Sequence, residues 1–117
     1  MLRLRRTFAI LGMIGLSTAL SSCVTSEKYA AAQEALKGSP ALRQELVDHC
    51  LKTSHVVGEE RRMLAKVANV SANAPLEKIL CTRVTNALAS GRLSYSDFQS
   101  MEFGHVTPGL IRALQDR

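Results

Sequence analysis

Each of the three prolines in this 117-residue chain stands where a helix would begin, and none where a helix would be broken. Ser39-Pro40 and Thr107-Pro108 pair a capping hydroxyl with a proline at the first helical position. There the missing N–H removes no helical bond, and the fixed φ already suits the helix. Pro75, after Asn73 and Ala74, opens the most regular apolar pattern in the chain. Glycines close what the prolines open: Gly38, Gly91 and Gly104 each follow an apolar-periodic stretch, as C-terminal stops do. Every strong hydrophobic period between them is three to four residues, with no strand-like alternation. Such a chain is restricted to short helices joined by tight links.

Residues 27–37 are alanine-rich, with Thr25 and Ser26 as caps and Glu27 suited to the first turn. Tyr29, Ala32 and Leu36 give them only a weak stripe, so residues 23–39 are expected to form a partly helical tether. From Pro40 to about residue 52, Leu42, Leu46 and Cys50 share one face, with Val47 beside them. Over 56–70 the expected inward stripe is Met63, Leu64, Val67 and Val70, with Glu59, Glu60, Arg61, Arg62 and Lys66 facing water. After Pro75 come Leu76, Ile79, Leu80, Val84, Ala87 and Leu88. Ser94-Tyr95-Ser96-Asp97 has the form of a capping box ahead of Phe98 and Met101, and Leu110, Ile111 and Leu114 line a terminal helix. The predicted architecture is all-α, a small bundle of five or six short helices, with residues 40–117 as the folded domain.

The start of the chain is different in kind. Arg3, Arg5 and Arg6 precede residues 7–20, which carry no charge and are led by Phe8, Ile10, Leu11, Met13, Ile14 and Leu16. That apolar stretch is short for a spanning helix, which needs about 20 residues. A basic start, a short apolar core and small residues before a cleavage point define a secretory signal peptide. The tetrapeptide that follows, Leu20-Ser21-Ser22-Cys23, resembles the lipobox of bacterial lipoproteins: an aliphatic residue, two small ones and a cysteine. The resemblance implies that residues 1–22 are removed and that the Cys23 sulfur takes a diacylglyceryl group. In Gram-negative bacteria it further implies a third acyl chain (palmitate or similar) on the Cys23 amine. In that family an aspartate after the cysteine favours retention in the inner membrane. Here the residue is Val24, which implies the outer membrane, facing the periplasm.

Cleavage would leave 95 residues, one domain at most, whose core is marginal without a staple. Cys50 and Cys81 would lie in an oxidising envelope compartment, where a cysteine pair is expected to be a disulfide. A loop of about 30 residues closed in this way contributes roughly 3–4 kcal/mol on the chain-entropy account. The net charge of +5 falls to +2 once Arg3, Arg5 and Arg6 are gone, so the basic balance is mostly a targeting signal. With no tryptophan, two tyrosines and three phenylalanines, the chain carries no concentrated basic and aromatic patch for nucleic acid.

Candidate sites are few. Residues 86–97 can be laid on a calcium loop with Asn86 first, Gly91 sixth and Asp97 twelfth. The third position is then Leu88, which has no oxygen to offer. Cys50, Cys81, His49, His55 and His105 lack the paired spacings of zinc sites. Ser94, Ser96 and Asp97 have no glycine-rich oxyanion loop beside them, and Glu59 and Glu60 point different ways on one helix. The sequence therefore carries an expectation of no catalytic residue, no metal and no cofactor beyond the lipid on Cys23. The expected function is that of a lipid-anchored, non-catalytic accessory or structural component of the envelope that binds a protein partner. A small periplasmic inhibitor or stress-chaperone-like module is the alternative, and an envelope hydrolase the weaker one.

Overall fold

Six helices follow one another in the computed structural model, which describes residues 24–117. They are α1 (Ser26–Gly38), α2 (Pro40–Thr53), α3 (Gly58–Val67), α4 (Leu76–Ser90), α5 (Tyr95–Glu102) and α6 (Pro108–Leu114), and there is no strand among the described residues. The expected signal peptide, residues 1–22, and Cys23 lie outside the described residues.

The helix starts follow the caps read from the sequence. Thr25, Ser39, Ser94 and Thr107 each accept a hydrogen bond from a backbone N–H of the first turn. Ser94 and Asp97 complete a reciprocal capping box. Pro75 differs slightly: it is the residue before α4, with no side-chain cap.

Three helices end in the same way, with a residue in the left-handed region and two crossed backbone bonds, the Schellman arrangement. Asn69 (φ 56°), Gly104 (φ 77°) and Asp116 (φ 60°) take that position after α3, α5 and α6. After α5, for example, Gly104 N–H donates to Met101 O at 3.0 Å and His105 N–H to Ser100 O at 2.8 Å. Arginines satisfy further carbonyls: Arg43 donates to Leu36 O at the end of α1, and Arg83 to both Ala68 O (2.8 Å) and Leu114 O (2.7 Å).

α4 is the central element, packed against α1, α2 and α6. Leu76, Cys81, Thr85, Ala87 and Ala89 are all buried on it, more of its circumference than a single stripe would cover. One core cluster joins Ala87 to Leu93, Leu110, Ala113 and Leu114, with Val84, Leu88 and Met101 packed around it. Cys50 and Cys81 stand at disulfide distance, S–S 2.08 Å and Cα–Cα 5.8 Å, and tie α2 to α4.

Two expectations are corrected. Residues 26–38 are not a tether but a helix of the bundle. Tyr29 and Leu36 are both only 5% exposed, and α1 packs on α4 and α2. α3 is also shorter than 56–70, and one residue of its expected inward stripe faces water. Gly58 (φ 61°) and Asn69 break the helical backbone on either side, and Met63 is 60% exposed. Leu64, Val67 and Val70 are partly buried as expected, with Val67 packed against the core cluster, but Ala65 and Ala68 are the buried residues in place of Met63, and Arg61 reaches across to α4 and its preceding link. Arg61 Nη1 meets Glu77 Oε1 at 2.6 Å and Nη2 meets Ala74 O at 2.8 Å.

Candidate functional site

The end of the bundle where the chain enters is built by aromatic side chains. Tyr29 of α1 lies with its ring 5.6 Å from Tyr95 and 5.3 Å from Phe98, both on α5. Its hydroxyl donates to Leu93 O in the α4–α5 link. Burial, with the Asp97 charge nearby, raises the Tyr29 pKa against a smaller opposing effect of Gln33. The phenol is therefore a neutral donor at any ordinary pH. Tyr95 completes the junction by donating its hydroxyl to Val24 O at 2.8 Å, while Gln99 Nε2 donates to the Tyr95 oxygen at 2.9 Å. The backbone one residue after Cys23 is thus tied directly to α5.

Asp97 links α5 to α6. Its Oδ2 accepts from Ser94 N–H at 3.1 Å and its Oδ1 from the Thr107 hydroxyl at 2.7 Å. Thr107 Oγ1 in turn accepts from Leu110 N–H at 3.1 Å. The Thr107 hydrogen bond, helped by Ser94 and Arg112 and opposed by desolvation, holds the Asp97 carboxyl below its usual range. The carboxylate lies so close to the first turn of α6 that a Cβ on Gly109 would stand 2.2 Å from Oδ2. Asp97 is fully engaged as a structural acceptor for two helix starts.

Two apolar depressions open on the described surface. One, of about 220 Å3, lies over the disulfide and is lined by Val56, Leu80, Cys81, Val84 and Met101 among others. The other, of about 340 Å3, runs between α1 and α2, with Leu36, Leu42, Leu46 and His49 in its walls. Leu42, expected on the inner face of α2, is 37% exposed there because the hairpin of α1 and α2 leaves this edge uncovered.

The chemical candidates named from the sequence are dispersed. His49 sits on α2, His55 in the α2–α3 link near Glu77, and His105 in the exposed turn after α5. Cys50 and Cys81 are paired with each other, and no group of three or more potential metal ligands occurs among the described residues. Asn86 and Leu88 lie within α4, and Gly91 (φ 80°) ends that helix, so residues 86–97 form a helix, a turn and a cap. Ser96 is exposed, Glu59 pairs with Arg62, and Glu60 is exposed on α3. Sequence reading missed the roles of Tyr29, Tyr95, Arg61 and Arg83. The seven-residue spacing of Tyr29 and Leu36, both large on an otherwise alanine-rich helix, was the available signal for the first of these.

Compared with known proteins, the chain matches no family model, no curated protein and no solved structure.

Proposed function

We propose that this protein is a lipid-anchored lipoprotein of the bacterial envelope, held through Cys23, whose helical domain serves as a non-catalytic protein-binding or structural component. The observation that carries the proposal is the order of residues at the start of the chain: three arginines, an uncharged apolar stretch, then Leu20-Ser21-Ser22-Cys23. With two or more acyl chains on one residue, attachment is stable where a single chain would hold only marginally. Val24 in place of an aspartate favours the outer membrane, with the domain facing the periplasm.

The geometry supports the binding part of this reading in one respect. The most apolar openings are shallow grooves between helices, the form that suits a partner's side chains. The polar groups that chemistry would need are spent on caps or held apart. In a bacterial host, metabolic labelling with palmitate is expected to mark the parent and leave Cys23→Ala unmarked and released from the membrane fraction. Equal labelling of both would refute the anchor. Crosslinking in cells is expected to recover one recurrent envelope partner. Recovery of many unrelated proteins, together with suppression of client aggregation on acidification, would favour the chaperone-like alternative.

A further inference from the structure

We infer that the turn between α5 and α6 is a second membrane contact, with Phe103 and Val106 entering the lipid interface beside the acyl chains on Cys23. The inference rests on the anchor proposed above and concerns what the folded domain does once so attached.

Distance is the first argument. The Val24 carbonyl is hydrogen-bonded to Tyr95, and Val24 is the neighbour of Cys23 in the chain. One Cα–Cα step of about 3.8 Å therefore separates a lipidated residue from a backbone position fixed on α5. No tether intervenes, since α1 begins at Ser26 and is packed into the bundle. A domain held this way cannot stand off from the bilayer, and the side chains around the exit point must face headgroups or acyl chains.

The apolar pair displayed at the other end of the same short helix is the second argument. Along α5, Tyr95, Gln99 and Phe103 succeed one another at four-residue steps, so Phe103 stands about 12 Å from Tyr95 along the axis and about 80° around it. Phe98 and Met101 lie well round the helix from Phe103, Phe98 beside Tyr95 against the Tyr29 ring and Met101 packed on the core. Phe103 is 75% exposed and Val106 68% exposed, two of the five large apolar side chains so displayed among the described residues. They share a four-residue turn whose backbone is locked by the bonds of Gly104 to Met101 and of His105 to Ser100. A rigid turn presenting an aromatic and a β-branched residue loses little conformational freedom on insertion. Interfacial segments bury such faces about 5–10 Å into the headgroup and acyl boundary. The anchor and this turn then define a line along α5, which lays that helix on the membrane surface and fixes the orientation of the domain.

The chain contains no tryptophan, so single-tryptophan variants report on one site each. Full-length Phe103→Trp, Val106→Trp and Met63→Trp would be processed in a bacterial envelope and their N-termini checked by mass. The purified proteins would be placed in vesicles of phosphatidylethanolamine with a minor share of phosphatidylglycerol, with and without bromine on the acyl chains. Met63 is an exposed reference site on α3, set among Glu59, Arg62 and Lys66. The expected result is blue-shifted emission at 103 and 106, quenched several-fold more by brominated chains than emission at 63. Solvent-like, unquenched emission at 103 and 106 on a protein that does carry the lipid overturns the second contact and leaves the anchor standing. A blue shift without bromine quenching, accompanied by a dimer mass, assigns the turn to a second copy and also overturns it. An unmodified Cys23 removes the anchor and this inference together.

Discussion

Asp97 accepts from the starts of two helices at once, and Gly109 is the residue that lets it do so. Alanine is ordinarily favoured over glycine inside a helix by about 1 kcal/mol. Here its Cβ would collide with the carboxylate, so Gly109→Ala is expected to lower the urea midpoint. In an Asp97→Ala background the same change should be neutral or favourable, a sign reversal that a double-mutant cycle reads directly. Asp97→Ala alone is expected to cost about 1–2 kcal/mol, the range of a lost cap and a lost hydrogen bond. The carboxyl of Asp97 is lowered in the folded protein, chiefly by Thr107, and that of Glu77 chiefly by Arg61. A depressed folded value means that stability is fully present above the unfolded value, about 3.9 for aspartate, and is lost as pH falls through the folded one. Urea unfolding at pH 7 and pH 3 should therefore show weakening on acidification, with a smaller loss for Asp97→Asn than for the parent. Arg83 answers the carbonyls at the ends of two helices. Arg83→Met is expected to cost about 2–3 kcal/mol, since charge-assisted bonds are among the stronger ones.

At the scale of the helices, the contrast between α1 and a tether is measurable. Tyr29→Ala removes a buried ring and leaves the Leu93 carbonyl without its phenol partner, and should cost about 3–5 kcal/mol by thermal or urea unfolding. In an unattached helical tail the same substitution would fall within about 0.5 kcal/mol. Helix boundaries were largely legible in the sequence because their causes are local: Ser39-Pro40, Ser94 with Asp97, and Gly91 act within a turn or two of themselves. The faces of α1 and α3 were less legible because they depend on a partner. Alanine is compatible with core and surface alike, so Ala65 and Ala68 gave no sign that they, rather than Met63, turn inward. Arg61 read as a solvent-facing charge because its acceptors, Glu77 and Ala74 O, come from beyond the next link. The histidines carried only a negative signal, the lack of any paired spacing among His49, His55 and His105, and where each one sits was not legible. That placement is set by the packing of α2, α3 and α5, which no short motif encodes.

For the molecule as a whole, one covalent tie and one proposed covalent anchor set the terms. The link from Cys50 to Cys81 spans the central helix and its neighbour, in a chain whose buried side chains are mostly alanine and leucine. Replacing both cysteines by alanine is expected to cost roughly 3–4 kcal/mol, the loop-closure figure, and to lower the unfolding midpoint accordingly. The proposed anchor joins this bundle through Val24 without slack, so attachment and orientation become one property: whatever fixes Cys23 in a membrane also fixes the direction in which the grooves face. The most direct measurement is the intact mass of the protein extracted from the envelope of a bacterial host, with fragmentation of its N-terminus. The account predicts a chain that starts at Cys23 and carries a diacylglyceryl group on sulfur, with a further acyl chain on the amine in a Gram-negative host. A chain that starts at Met1, or a bare thiol at Cys23, would contradict it.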